Sequence, residues 1–318
     1  MTLSAPSSHT RTTVVLAVAG AMMCGAGIAT QARINGELSQ QIDDGVLTAL
    51  ISFGSGLVIV SVVMLFAPSG RRGLGLVRSA LVARRIPWWY VAGGCAGAFL
   101  VLSQGLVAAV LGVALFSVAI VAGQTLSGLL IDRSGLGSMA PKPVSATRVV
   151  GSLLALAAVV FAASGHLQGD VPIWMLALPF AAGFGIGWQQ AVNGQVRQVA
   201  HSPITATFTN FVVGTAVLLL ATLIHSTWAG WPDSLPSNPL LYLGGLVGVI
   251  FIAGATIVVP ITGVLLLGLG TIAGQLLASL VLDIVLPVAG HPLSAITVIG
   301  TLLTLVAVGI AAIPSSRR

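Results

Sequence analysis

The chain has 318 residues, 56% of them apolar, with only 13 basic and 7 acidic side chains and a net charge of +6. A soluble domain spends about a quarter of its residues on charge. A chain this poor in charge cannot cover its own surface in water, so a water-soluble fold is excluded and lipid is the expected solvent.

A membrane-spanning helix needs roughly 20 apolar residues, and spans are read here in chain order. The first, 13–31, is flanked by the single basic Arg11, and Met23 before Cys24 does not suit lipoprotein cleavage. Residues 172–191 repeat it in mid-chain, where no signal peptide can sit, so it is read as a permanent helix. A second span covers 46–66, and the arginine-rich stretch 67–87 is read as a loop able to touch anionic headgroups. Between Arg85 and Asp132 the chain carries no charge for 46 residues. As one helix these would run about 69 Å, over twice the hydrocarbon thickness. They must divide into 88–109 and 112–131 with a turn near 109–112. Spans at 147–165, 172–191 and 204–225 follow. The uncharged run between Asp233 and Asp283 divides near 259–260 into 240–258 and 262–283, and 294–313 closes the series. The reading is thus an all-α integral membrane protein of ten helices, with tails 1–12 and 314–318.

Ten spans put both termini on one side. Arg11, Arg71, Arg72, Arg78, Arg84, Arg85, Arg133, Lys142, Arg148, Arg197, Arg317 and Arg318 share that side, and only Arg33 falls on the other. Basic loops stay in the cytoplasm. The expectation is a multi-pass protein of a bacterial cytoplasmic (inner) membrane with cytoplasmic termini. The excess of basic charge reports insertion, so no nucleic-acid partner is implied.

The chain repeats itself. Gln31 and Gln189, Asn35 and Asn193, Gly36 and Gly194, Phe53 and Phe211, and Gly56 and Gly214 each lie 158 positions apart. The offset becomes 151 for Gly97 and Gly248, Gly123-Gln124 and Gly274-Gln275, and Asp132 and Asp283. It becomes 149 where PVSATRVVGSLL (143–154) matches PLSAITVIGTLL (292–303). Constant spacing within helices and slips between them indicate two copies of a five-helix unit, 13–165 and 172–313. Because five is odd, the second copy enters from the opposite face. Inverted-topology repeats of this kind are a transporter design with the substrate site near the midplane.

The doubled pattern G-x-G-x-x-x-Q-x-x-x-N, F-x-x-G, G-Q-x(7)-D and P-x-S-x(5)-G resembles the drug/metabolite transporter (DMT) superfamily, which includes EamA-like proteins. Within that superfamily the pattern is most similar to the YdcZ-like branch of small bacterial inner-membrane proteins. The likeness covers 13–313 and looks like a fused pair of five-helix units. It implies a ten-helix fold, a central cavity, and movement of small molecules, usually outward.

Polar residues within the spans are the candidate site. Gln31 and Asn35 share a helix face, as do Gln189 and Asn193, and an amide cannot face lipid without partners. Inversion directs the first pair outward and the second toward the cytoplasm. They either join helices by hydrogen bonds or line a cavity. Gln124 and Gln275 lie mid-span beside small residues and are read as substrate contacts. Gln104 and Asn210 are further entrants, and Trp188 could stack on a flat ligand. Asp132 and Asp283 end equivalent helices on opposite faces and are read as helix-end or gate residues, with Arg133 or Arg148 as a partner for Asp132. Arg33 pairs with Glu37 at i+4. Trp88, Trp89, Tyr90 and Trp174 suit the headgroup-level aromatic belt. The stretches GGCAG (93–97) and GGLVG (244–248) suit close helix packing within the chain or between protomers, which leaves a homodimer open.

The expected function is secondary transport of small neutral, zwitterionic or amphipathic molecules by alternating access, with the small-molecule substrate and the lipid bilayer as partners. No cofactor or metal is implied. An intramembrane enzyme lacks its constellation here, since there is no HExxH, no histidine within the membrane interior and no carboxylate pair on one side. The alternative is a non-transporting membrane partner or regulatory subunit, which a closed, dry interior would favour.

Overall fold

A computed structural model describes residues 11–134, 146–164, 172, 174–287 and 294–312, and these are helical with short connections. The helices are α1 (Arg11–Ile42), α2 (Gly45–Phe66), α3 (Pro68–Val82), α4 (Gly93–Ser103), α5 (Ala109–Leu111), α6 (Val113–Ser134), α7 (Ala146–Ser164), α8 (Trp174–Ala200), α9 (Pro203–Ala229), α10 (Gly244–Val285) and α11 (Ala295–Ala312). Seven segments among the described residues are long and apolar enough to cross a membrane: Val15–Ile42, Gly45–Phe66, Trp88–Leu111, Val113–Ile131, Pro203–Ala229, Pro239–Val258 and Leu267–Val285. Helix α8 has 27 residues and matches them in length, its hydropathy lowered by its amides. Helices α7 and α11 are shorter and pack on one another.

The connections are tight and locally encoded. Between α1 and α2 only Asp43 and Asp44 intervene. Asp43 takes φ 53°, and the Asp44 carboxylate accepts from the backbone N–H of Val46 and Leu47, both at 2.8 Å, as an N-cap does. Between α8 and α9 the same arrangement recurs, with His201 at φ 50° and Ser202 as the N-cap of a helix that opens on Pro203. Gly112, at φ 74°, breaks the chain between α5 and α6 at the turn expected from the length of the uncharged run.

Two expected span ends move. Helix α1 continues to Ile42 instead of stopping near 31, and α8 continues to Ala200 instead of 191. Hydropathy falls beyond Gln31, but Gln31, Asn35, Leu38 and Ile42 form one buried stripe at helical spacing. Gln189, Asn193, Val196 and Ala200 do the same in α8. Burial against other helices carries both elements past their apolar cores.

The basic stretch expected as a loop forms helix α3. Its buried stripe, Gly70, Gly73, Val77 and Ala80, is made of small residues that lie close on α8 and α9. Thr205 Oγ1 donates to the Gly70 carbonyl at 2.9 Å.

Helix α10 runs over 42 residues, Gly244–Val285, across the place near 259–260 where a turn was expected. It is nevertheless not one straight rod. Gly244 lies against the Asn35 side chain and Thr271 against Gly25. Twenty-seven residues of straight helix would separate Gly244 from Thr271 by about 40 Å, whereas Gly25 and Asn35 are about 15 Å apart on α1. The element therefore folds back between Val258 and Leu267, giving the two membrane-length pieces that hydropathy requires.

Helix crossings recur at the repeat offsets. A methyl group on Gly25 would overlap the Thr271 carbonyl, and one on Gly183 would overlap the Ile120 carbonyl. Likewise Gly274 abuts the Met22 carbonyl and Gly123 the Phe180 carbonyl. Each contact between α1 and α10 is thus made again between α8 and α6. Leu115, Phe116, Ile120, Ile186 and Leu276 fill the core beside these crossings. Trp88 and Trp174 are exposed at the ends of their helices, as an interfacial belt requires, and Trp89 and Tyr90 meet edge to face at 4.5 Å.

Candidate functional site

Two amide clusters sit inside the bundle. In the first, Gln31 Nε2 donates to the Gly244 carbonyl at 2.8 Å, and Asn35 Nδ2 donates to Gln104 Oε1 at 2.7 Å. Gln104 opens a π-helical turn, Gln104–Ala108, a local widening often found at functional positions. In the second, Gln189 Nε2 and Asn193 Nδ2 both donate to Asn210 Oδ1, at 2.8 and 3.1 Å. All six side chains are buried. Asn210 stands where the first half has Ser52, and Gln104 where the second half has Ala255. Matching motifs are therefore held by different partners. Each cluster also keeps unused capacity: Gln31 Oε1, Asn35 Oδ1, Gln104 Nε2 and Asn210 Nδ2 have no hydrogen-bond partner.

Between the clusters lies a cavity lined by five residue pairs at the repeat offsets: Gln31 and Gln189, Phe53 and Phe211, Gly97 and Gly248, Leu100 and Phe251, Val101 and Ile252. The two phenylalanine rings are 4.9 Å apart and tilted by 42°. About 10 Å³ is open to the centre of a water molecule, room for about one. The lining carries no charged side chain. Amide groups beside aromatic faces suit hydrogen bonding and stacking with an uncharged group, but the space as it stands admits only about one water. It cannot neutralise an isolated charge with a counter-ion.

The expected residues divide as follows. Gln31 and Gln189 both line this cavity. Asn35 and Asn193 sit one turn beyond, against Gly244 and Gly93. Gln104 holds Asn35, outside the lining. Gln124 and Gln275 are buried in α6 and α10, away from the lining; Gln124 Nε2 and both polar atoms of Gln275 are unpartnered. Trp188 is half-buried on α8 and is also outside the lining. Residues Phe53, Phe211, Leu100, Val101, Phe251 and Ile252 were not expected in the site. The signal that could have found them is the repeat itself, since the phenylalanines are matched across it.

Asp283 has a defined place. Its Oδ1 and Oδ2 accept from the backbone N–H of Val113 and Ala114, at 3.1 and 2.7 Å. It thereby caps α6 from the end of α10, where the helix dipole favours negative charge. The Asp132 side chain lies outside the described residues, as do those of Arg133 and Arg148, so that pairing lies outside them too. Arg33 does pair with Glu37, at 3.5 Å. One correction concerns histidine: α9 runs to Ala229, so His225 lies within an apolar span, with Nε2 3.6 Å from Asp44 Oδ1. Among the described residues no group of three His, Cys, Asp or Glu could hold a metal.

The fold and cavity define a polytopic helical membrane protein with an internal polar site. The family model described as "Putative inner membrane exporter, YdcZ" matches the chain twice, over residues 16–161 and 174–310. The chain belongs to this YdcZ family of the DMT superfamily, and its general class is that of an inner-membrane transporter. No curated protein matches it. Ten chains of solved structure match. One of them, described only as "Crystal structure of protein", is 19% identical over 95% of this chain and 97% of its own, with a TM-score of 0.56. That likeness concerns the fold alone.

Proposed function

We propose that the protein is a secondary transporter that moves small molecules outward by alternating access around the central cavity. On this reading the chain makes ten crossings as two inverted five-helix units, 13–165 and 172–313, with both termini cytoplasmic. The observation that carries it is the lining itself. Five pairs of residues at the repeat offsets surround one cavity, so either unit can play the other's part when the opening changes sides. The restricted volume is that of a closed state, in which the Phe53 and Phe211 rings must part to admit substrate. A packing partner without transport would also have a closed interior, and the exporter family of the chain favours transport.

Gln31 and Gln189 are the proposed first contacts, supported by Asn35, Gln104, Asn193 and Asn210 on either side. Gln124, Gln275 and Trp188 are proposed to meet substrate as the cavity widens, since Gln124 Nε2 and both polar atoms of Gln275 are free to take a new partner. Asp132 and Asp283 are proposed as helix-end positions of the moving elements. The substrate class is small, uncharged or zwitterionic, with an apolar body and a polar edge.

The test is a thermal-shift screen of the purified protein against neutral, zwitterionic and amphipathic compounds, followed by flux of a hit in proteoliposomes. Gln31→Ala and Gln189→Ala should each lower flux at least tenfold while the protein remains folded. Unchanged flux in both variants overturns the site.

A further inference from the structure

We propose that the exposed face of α3 is a binding site for anionic lipid headgroups. Arg71, Arg72, Arg78, Arg84 and Arg85 are all exposed. The chain holds no acidic residue between Asp44 and Asp132. Helices α2, α8 and α9, on which α3 packs, contain none either. Among the described residues none of the five arginines has an acidic partner, which leaves their charge open to an anion from outside the chain.

Local geometry gathers these charges. Arg71 and Arg78, seven positions apart, lie on one flank of α3 about 10 Å apart. Between them is Gly75, beside which a methyl group would meet nothing within 4 Å. The helix is closed by Arg85 N donating to the Ala80 carbonyl at 2.8 Å and by Arg84 at φ 52°. This adds two further guanidinium groups at its end. Apolar side chains accompany them: Leu76 is 45% exposed, Val82 79%, Phe66 82% and Trp88 74%. Basic and apolar groups side by side on a helix at the end of a spanning element suit a phosphate headgroup with its acyl chains beneath. A soluble anion would use the arginines and leave the apolar groups idle. The occupant inferred is therefore an anionic phospholipid of the adjoining leaflet. Because the buried face of α3 rests on Ala200 and Thr205, lipid held there also braces the corner between α8 and α9. The inference needs only a membrane protein, so it stands or falls apart from the transport reading.

The experiment uses the full chain in detergent, titrated with phosphatidylglycerol, phosphatidylcholine or free glycerol phosphate, and read by thermal shift and by lipid adducts in native mass spectrometry. Phosphatidylglycerol should bind and stabilise the wild type where the other two do not. Each arginine near an anionic surface is worth about fivefold in affinity, so R71Q/R72Q/R78Q should bind roughly a hundredfold more weakly. The corresponding triple lysine variant should retain most of the affinity. Affinity within twofold of wild type in the glutamine variant overturns the site. Equal stabilisation by phosphatidylcholine overturns it as well, and competition by glycerol phosphate would indicate a soluble anion. If the triple variant has a lower melting temperature in phosphatidylcholine alone, the wild type in 0.5 M salt serves instead. Screening must then remove the preference, and a preference that survives salt refutes the proposal.

Discussion

Gln31 shows how one side chain can serve both packing and function. Its Nε2 satisfies the Gly244 carbonyl while its Oε1 is left open beside the cavity. An interhelical hydrogen bond in a membrane is worth about 0.6 to 2 kcal/mol, so losing one need not unfold the bundle. Nearby glycines separate the two roles. A methyl group on Gly248 would lie 2.6 Å from Gln31 Nε2, and it would push the amide off its carbonyl and into the cavity. G248A is expected to cut flux several-fold with a small change in melting temperature. At Gly54 nothing lies within 4 Å, so G54A should leave flux unchanged and slightly stabilise α2 through helix propensity. Flux of G248A equal to that of G54A would show that the cavity is not on the transport path. Asp283 belongs to packing alone in this structure. D283A leaves the Val113 and Ala114 N–H groups without an acceptor and should cost about 0.5 to 2 kcal/mol, seen as a lower melting temperature; D283N, which keeps one acceptor oxygen, should lose less.

At the scale of elements, two helix crossings bear most of the architecture, and glycine is what permits them. Gly25 on α1 meets the Thr271 carbonyl of α10, and Gly183 on α8 meets the Ile120 carbonyl of α6. A side chain at either place must drive the helices apart, and overpacking typically costs 1 to 3 kcal/mol, sometimes more. G25A and G183A should therefore each reduce the yield of folded, monodisperse protein in detergent, and by similar amounts. Normal yield and melting temperature in both would mean that the crossings tolerate separation. The lengths of the uncharged runs made these elements countable from sequence, and the turn at Gly112 follows from that arithmetic. The ends of α1 and α8 were not legible, because a falling hydropathy was read as a helix end where Gln31 and Gln189 are in fact hydrogen-bonded inside the bundle. Helix α3 was hidden for a related reason: its buried stripe is glycine, valine and alanine, too small to register as apolar periodicity beside Arg71, Arg72 and Arg78. The doubled amides were legible as site candidates. The meeting of Phe53 with Phe211 was not, since it depends on which faces α2 and α9 present to each other.

For the whole molecule, the proposed inversion has a direct consequence. At one end Leu38, Ile42, Leu47 and Leu241 pack together near the Asp44–His225 contact. At the other, Val77, Ala80, Val196 and Ala200 do so near the Thr205–Gly70 hydrogen bond. Asn35 is held by Gln104 near the first cluster, and Asn193 by Asn210 near the second. If substrate passes from one end to the other, these contacts are the closures, and equivalent positions of the two units must face opposite solutions. Gln40 and Gln198 are such a pair, 158 positions apart and both exposed. With Cys24 and Cys95 replaced by alanine, Q40C should react with a membrane-impermeant maleimide added to spheroplasts, and Q198C only in inverted vesicles. On the proposed topology the basic α3 end faces the cytoplasm, so the expected sense of labelling follows as well as the difference. Labelling of both from one side would remove the inversion and, with it, the physical reason for a duplicated cavity. Opposite labelling would also set up the test of the closures. Replacing Asn210 by alanine removes the acceptor shared by Gln189 and Asn193 and should speed labelling of a cysteine at the buried Val196 in inverted vesicles several-fold. The same substitution should leave a cysteine at the equivalent buried Leu38, near the other end, at its original rate.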